Sequence, residues 1–124
     1  MRMRFTQDSP GNAHLIRGYA DGEFRIDDRR IRGGLILSAT EILLAPELRD
    51  PGDIGAAHIE RILAMQPEVV LLGTGAAQRF PDASLAAQFW SRGIGFEVMD
   101  SGAACRTFNV LAAERRRAVA ALLP

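Results

Sequence analysis

Short apolar runs and turn residues alternate between residues 13 and 46 of the chain. Asp21-Gly22 separates two such runs, and this dipeptide signals a hairpin because both central residues of the tight turn need positive φ. The pair Gly33-Gly34 inside a later run predicts a bulge or a close backbone approach, since glycine adds nothing to strand packing. The pattern over 13–46 therefore predicts an antiparallel β-meander.

The pattern changes after residues 47–55, which are rich in Pro, Gly and Asp and indicate a junction. The segment AAHIERILAM then places Ile59, Ile62 and Leu63 on one face of a predicted helix, with Asp53 as its candidate N-cap. The sequence EVVLL follows as a nearly continuous apolar run, which is typical of a strand buried on both faces of a parallel sheet.

A second helix, PDASLAAQFWSR, follows that strand and ends at Gly93, and the next strand is GFEVM. A strand, a helix and a parallel strand form one right-handed βαβ unit. The aromatic residues Phe89, Trp90 and Phe96 are expected in the core at this spacing.

The remaining residues, from Ser101 to Pro124, predict one or two helices. Ser101 is a candidate N-cap, and Asn109 is a poor mid-helix residue that marks a candidate break. The second of these helices would carry an apolar stripe opposite its arginines, made of Ala118, Val119, Leu122 and Leu123.

These elements predict a mixed α/β fold in which an N-terminal antiparallel β-meander lies beside a parallel βαβα portion, as a single three-layer domain. Residues 1–12 would be a loose N-terminal segment, residues 13–46 the meander and residues 53–123 the α/β portion. A chain of 124 residues with 48% hydrophobic content suits one compact domain.

The charge balance argues against nucleic acid as a partner, because 15 basic and 15 acidic side chains cancel. Every basic residue is arginine, which suggests a bacterial source with a GC-rich genome. The N-terminus MRMRFTQDSP lacks the apolar segment of a signal peptide, and no apolar run approaches the ~20 residues of a transmembrane helix. We expect a cytoplasmic protein whose membrane contact, if any, is peripheral to the inner membrane.

The sequence GTGAAQRF, residues 73–80, follows the predicted buried strand and precedes a helix. Such a loop gathers free backbone N–H groups at the positive end of a helix dipole, where an anion is favoured. The dinucleotide fingerprint fails at Gln78, however, and the absence of lysine excludes a nucleotide-triphosphate loop. The alternative is that Gly73 and Gly75 only permit a tight exit from the strand.

A second loop, from Asp100 to Ala104, should lie beside the first, because ligands of α/β sheets bind outside the carboxyl ends of parallel strands. Asp100 could act as a base in proton transfer or cap the following helix. Arg79 and Arg106 could face a ligand or pair with Asp100 and Glu97 to hold the loops together.

Cys105 is the single cysteine, so it forms no internal disulfide and suits a reducing compartment. A buried core thiol is favoured over a catalytic or redox thiol, because no histidine is assigned to its neighbourhood. His14 and His58 are isolated, which argues against a metal site, and no cofactor is expected. Residues 114–117 are expected to form a solvated helix face.

The order GTG, RF, GFEVMD, AACRTFN and LAAE resembles the small domain family of unknown biochemical activity that includes mitochondrial respiratory complex I assembly factor 3. The resemblance runs from about Glu68 to Leu123. It implies a single α/β domain and two marked loops, with Gly73, Thr74, Gly75, Arg79 and Phe80 in the first and Asp100, Ala104, Arg106, Thr107 and Asn109 in the second. The chain departs from the family at Ser101, where Thr is usual, and at Phe108, where Tyr is usual.

The resemblance implies no catalytic step, and the mitochondrial member is similar to an assembly chaperone bound to other proteins near a membrane. We therefore predict a non-enzymatic binding module, related to assembly factors, that docks a protein partner or a small anion in a cleft between the two loops. The predicted cleft residues are Gly73, Thr74, Gly75, Arg79, Phe80, Asp100, Ser101, Arg106, Thr107 and Asn109. The alternative is a small enzyme for an anionic metabolite, with Asp100 as base and Arg79 as anion clamp.

Overall fold

The computed structural model describes residues 13–124, so the predicted loose segment 1–12 lies outside the described residues. The strands are β1 (Ile16–Ala20), β2 (Glu23–Ile26), β3 (Arg29–Arg32), β4 (Leu35–Leu37), β5 (Ile42–Leu44), β6 (Val69–Thr74), β7 (Gly95–Met99) and β8 (Ala118–Leu123). The helices are α1 (Ala56–Ala64), α2 (Ala83–Trp90) and α3 (Ser101–Ala113), with a short 3₁₀ helix at Pro51–Asp53.

The strands form two sheets. β1, β2 and β3 make an antiparallel three-stranded sheet, and the larger sheet has the order β5-β4-β8-β6-β7. Within it β4 pairs antiparallel with β5 and β8, while β6 runs parallel to both β8 and β7. The predicted mixed α/β fold, with an antiparallel N-terminal meander and a parallel βαβ unit, is confirmed.

Two glycine signals in the meander are confirmed. Asp21 and Gly22 adopt φ of 51° and 75° in the β1–β2 turn, as a tight hairpin requires. At Gly34 a Cβ atom would lie 2.6 Å from the Leu48 carbonyl oxygen and 2.7 Å from that of Ala45. Only glycine permits this approach, which fixes the 45–48 segment against the start of β4. The meander itself stops at β3, because β4 and β5 join the larger sheet.

The larger sheet lies between two apolar layers because the side chains of its strands alternate between its faces. Leu37, Leu71 and Leu122 face α3 and the three-stranded sheet. Ile36 and Leu72 face the other side, where α1 and α2 pack. Both faces are therefore buried, which gives the three-layer arrangement.

The predicted helix over the last residues is wrong, because Ala118–Leu123 is strand β8 in the middle of the larger sheet. Every residue of β8 is buried, with alternate side chains entering the two apolar layers. A strand covered on both faces has a continuous apolar sequence, and such a short run resembles a buried helix segment.

Three predictions about helix ends also need correction. The N-cap of α1 is Gly55, whereas the Asp53 carboxylate accepts the N–H groups of Arg49 and Asp50. The N-cap of α3 is Asp100 rather than Ser101, since its side chain accepts the N–H of Ala103.

The third correction concerns Asn109, which does not break α3, since the helix continues from Ser101 to Ala113. Its side-chain oxygen accepts the N–H of Ile16 (3.0 Å), and its amide nitrogen donates to the carbonyl of the same residue (2.7 Å). Because these bonds satisfy the amide group without competing for the helix backbone, Asn109 fastens α3 to the start of β1.

Candidate functional site

The two loops of the sequence prediction meet at the carboxyl ends of β6, β7 and β8. The Gly75 N–H donates to the Ser101 hydroxyl (2.8 Å), and that hydroxyl donates to the Leu123 carbonyl (2.6 Å). The Ser101 N–H donates back to the Gly75 carbonyl (2.8 Å). We call Gly73, Gly75, Ser101 and Leu123 the strand-end junction. It ties three elements together through one fully buried hydroxyl.

Gly73 allows β6 and α3 to approach closely at this junction. A Cβ atom there would lie 3.0 Å from the Cβ of Ala104 and 3.0 Å from the Cα and Oγ of Ser101. Gly75 has a φ of +94°, and a Cβ on it would lie 2.8 Å from the Pro124 carbonyl oxygen. Gly75 is thus required by its backbone conformation and packing, and Gly73 permits an unusually close approach of β6 and α3.

Thr74 organises the rest of the glycine loop from a fully buried position. Its hydroxyl donates to the Ala77 carbonyl (2.7 Å) and accepts the Arg79 N–H (2.9 Å). The N–H groups of Gly75, Arg79 and Ala103 therefore all bond within the chain, so these donors are not available to a bound anion.

Arg79 is held by the chain on the other side of the loop. Its guanidinium donates to the Thr74 carbonyl (3.0 and 3.2 Å) and to the Arg49 carbonyl (3.2 Å), and it forms an ion pair with Asp50. The partners suggested by the sequence, Asp100 and Glu97, are not the ones it uses. Arg79 therefore fastens the 49–50 segment to the glycine loop.

Arg106 lies elsewhere, beside β1. With Asn109 and Cys105 it lines a small pocket of about 130 Å³ between α3 and β1, whose far wall includes Arg17 and Tyr19. Thr107 lies half-buried on the same helix. The two arginines of the predicted cleft thus contact different elements, and binding of a ligand by any of the ten predicted residues stays a prediction.

Cys105 is a core thiol, as favoured by the sequence. It is buried, and burial raises its pKa to about 12, so almost no reactive thiolate forms at neutral pH. The histidines bond to carboxylates instead, His14 to Asp27 (2.6 Å) and His58 to Glu47 (2.7 Å). Within residues 13–124, no group of three or more His, Cys, Asp or Glu side chains is arranged to hold a metal ion.

An open apolar groove lies where the glycine loop ends. It has a volume of about 390 Å³ and lies between β7 and one face of α2. Its lining residues, which we call the aromatic groove, are Phe80, Pro81, Asp82, Ala83, Ala86, Trp90, Phe96, Glu97 and Val98. Phe80 is 76% exposed and Trp90 is 63% exposed, so two large aromatic side chains border the groove in contact with solvent.

The exposure of Trp90 corrects the expectation that it belongs to the core. Phe89 occupies the core-facing position and stacks on Phe96 with ring centroids 5.3 Å apart. Successive helix residues are about 100° apart, so the next side chain must point away from that face. Two adjacent aromatic residues on a short amphipathic helix are the signal that could have revealed this.

Residues 16–123 match the family described as "Protein of unknown function (DUF498/DUF598)". The chain belongs to this family. A relative, the "13 kDa major membrane protein" of Francisella tularensis, is 34% identical over 82% of this chain and 84% of its own length. The zebrafish (Danio rerio) "NADH dehydrogenase [ubiquinone] 1 alpha subcomplex assembly factor 3" is 33% identical over 89% of this chain, which spans 64% of that relative.

The family resemblance inferred from the sequence is thereby confirmed, and a solved structure supports the fold. The crystal structure of a Bordetella parapertussis protein superposes with a TM-score of 0.81 at 32% identity, covering 90% of this chain and 96% of the other. Among residues 13–124, no helix combines the length and apolar character needed to cross a bilayer.

Proposed function

We propose that the protein is a non-enzymatic binding module that holds a segment of another protein during assembly of a membrane complex. The observation that carries this proposal is the aromatic groove, an apolar surface left open beside a glycine loop whose Gly75 and Arg79 N–H groups and Arg79 guanidinium already bond within the chain. Exposed apolar surface bordered by polar residues is typical of protein interaction sites. The names of the zebrafish and Francisella relatives agree with an assembly role at a membrane surface.

The internal bonds of the two loops argue for a protein partner over a small anion. Three backbone donors that could hold an anion, on Gly75, Arg79 and Ala103, already bond within the chain. The guanidinium of Arg79 is likewise engaged by Asp50 and two carbonyls. Phe80, the last residue of the predicted first loop, is 76% exposed and carries the large apolar side chain that this loop presents to solvent.

The enzymatic alternative gains no support from the same geometry. Asp100, its suggested base, is committed to capping α3 through the Ala103 N–H (2.8 Å). Arg79, its suggested anion clamp, contacts a different segment. We therefore retain the binding module as the proposed function.

The test is crosslinking of the tagged protein in cells that express it naturally, followed by purification. The variant replaces Phe80 and Trp90 by Ala, and the matched control replaces Leu44 and Val110 by Ala, since these side chains are also exposed, at 60% and 56%, but lie outside the groove. We expect subunits of membrane complexes to copurify with the wild type and the control and to be lost with the groove variant. Equal recovery by the groove variant, or no specific partner for the wild type, would overturn the proposal.

A further inference from the structure

The aromatic groove lies along an open edge of the larger sheet. β7 is the last strand in the order β5-β4-β8-β6-β7, and within the part of the chain that the structure describes no strand pairs with its outer side. An open edge presents unpaired N–H and C=O groups to which another extended segment can bond. The groove and the edge therefore form one continuous surface.

The pairing of β7 with β6 shows which groups point outward. The Gly95 N–H donates to the Glu68 carbonyl on the β6 side (3.0 Å), and alternate residues of a strand direct their backbone groups to the same neighbour. Phe96 and Val98 therefore direct theirs outward. One of these groups, the Val98 carbonyl, accepts the side-chain amide of Gln78 (3.0 Å). Within residues 13–124, the N–H of Val98 and both backbone groups of Phe96 make no hydrogen bond, so they are free to bond to a partner.

β7 lacks three of the features that commonly protect an edge strand, namely proline, lysine and a bulge. Its sequence, GFEVM, has no proline and no lysine, and its register with β6 is regular, without a bulge. Its side chains alternate, with Phe96 and Val98 on the groove side. An added strand would place every second side chain over the groove, beside Phe80 and Trp90.

The charged side chains along the groove are acidic. Asp82 and Glu97 are among its lining residues, although the Glu97 side chain, between Phe96 and Val98, lies on the other face of β7. Neither takes part in an ion pair within residues 13–124. A hydrogen bond from the Ser84 N–H lowers the pKa of Asp82, which keeps this carboxylate ionised at neutral pH. An occupant with a Lys or Arg near its apolar residues would complement these two charges.

The same charges disfavour a second copy of this chain as the occupant. A two-fold pairing of two β7 edges centred on the strand would set the two copies of Glu97 opposite each other. Like charges directly opposite in a sheet are destabilising. The geometry of the edge therefore suits a different sequence better than its own.

Resting on the proposed function, we infer that the partner binds in an extended conformation as an additional strand on β7. Its alternate apolar side chains enter the aromatic groove, and a Lys or Arg side chain pairs with Asp82 or Glu97. The backbone bonds to Phe96 and Val98 supply affinity for many sequences, and the groove and its charges select among them. The ligand class is thus an extended, basic, apolar protein segment.

The first experiment selects binders to the full 124-residue chain from a display library of random heptapeptides. The second measures amide hydrogen exchange of the protein with and without a synthetic peptide of an enriched sequence. We expect enriched sequences that alternate apolar residues, contain Lys or Arg and lack central Pro. We also expect the Phe96 and Val98 amides to exchange at least about tenfold more slowly with peptide bound. Proline-rich or acidic consensus sequences, or no enrichment, would overturn the inference.

Charge variants test the pairing. Replacing Asp82 by Asn preserves the N-cap because Asn caps as well as Asp, and Glu97→Gln is added to it. We expect this variant to bind the basic peptide about tenfold more weakly, a loss comparable to one partly exposed charge-assisted bond. The matched control, Asp28→Asn with Glu60→Gln, removes two exposed charges that lie outside the groove and should bind normally. Equal weakening by both would contradict a specific pairing.

Two outcomes separate this inference from the proposed function. If the peptide needs Phe80 and Trp90 but leaves the Phe96 and Val98 amides unprotected, the groove binds partners and strand addition is wrong. If those amides are protected without peptide and the protection rises with protein concentration, the occupant is a second copy and the inference is overturned. Peptide binding that ignores both aromatic residues would instead refute the docking groove itself.

Discussion

At the residue scale, the buried hydroxyl of Ser101 has a different role from the one that the sequence predicts. Ser101 is expected from the sequence to cap a helix, which requires one acceptor oxygen near an exposed helix end. Its hydroxyl instead both accepts and donates at zero exposure, and it joins β6 to β8. Asp100 caps α3 instead. Adjacent polar residues thus divide the two roles, and the structural one falls to the residue with both a donor and an acceptor.

A second residue-scale feature is the pH dependence expected at Asp27. Burial alone would raise its pKa, but hydrogen bonds from the Leu15 N–H and from His14 outweigh burial and lower the pKa. Because the folded-state pKa lies below the unfolded value of about 3.9, the carboxylate stabilises the fold above that pH, and this contribution is lost as the pH falls through the folded pKa.

We therefore predict that Asp27→Asn lowers the free energy of unfolding by about 1 kcal/mol at pH 7 and has progressively less effect as the pH falls below about 4. Asn tolerates the positive φ of 54° at this position, so the turn itself should survive. Urea unfolding of both proteins at several pH values measures the difference. The neighbouring Asp28→Asn is the control, and a deficit independent of pH would refute the prediction.

At the element scale, the packing of α3 against β6 depends on a missing side chain. A Cβ on Gly73 would meet the Ser101 Cα and the Ala104 Cβ at 3.0 Å, and a backbone atom cannot yield as a flexible side chain can. We predict that Gly73→Ala lowers the free energy of unfolding by about 1–3 kcal/mol through overpacking. Chemical denaturation measures this, with Gly52→Ala as control because a Cβ atom on Gly52 would have nothing within 4 Å. Equal stability of the two variants would show that the approach is not tight.

The elements differ in how far the sequence could predict them. The βαβ unit was predictable because EVVLL is flanked by turn residues and followed by a capped helix. β8 was not, because AVAALL contains good helix formers and lacks the period-2 alternation of a half-exposed strand. The Asn109 contact with Ile16 joins residues 93 positions apart, and such a distant partner leaves no local sequence signal.

The candidate site likewise has features that the sequence could predict and features that it could not. The meeting of the two loops could be predicted because parallel strands bring their carboxyl ends to one edge. The ion pair of Arg79 with Asp50 could not, because the 49–50 segment reaches the loop only through the tertiary fold. The aromatic groove was missed because Phe89 and Trp90 were both assigned to the core, although adjacent residues of one short helix cannot both face it.

At the scale of the whole molecule, internal bonds close the carboxyl ends of β6 and β8, whereas the β7 edge is open. Two adjacent aromatic residues are divided between the core and the groove beside that edge. We predict that Trp90→Ala changes the free energy of unfolding by less than about 0.5 kcal/mol, whereas Phe89→Ala costs about 3–5 kcal/mol. Phe89 is 1% exposed and Trp90 is 63% exposed. Thermal or urea unfolding measures both, and a cost above about 2 kcal/mol for Trp90→Ala would mean that the groove is part of the core.

The position of β8 has a consequence for folding during synthesis on the ribosome. β4 and β6 are both translated before Ala118–Leu123, the strand that lies between them. Until β8 emerges, the nascent chain carries two apolar strands whose inner edges have no neighbour, which is the state that chaperones recognise. A protein proposed to hold the extended apolar segments of others therefore passes through a stage of its own synthesis in which it displays such segments itself.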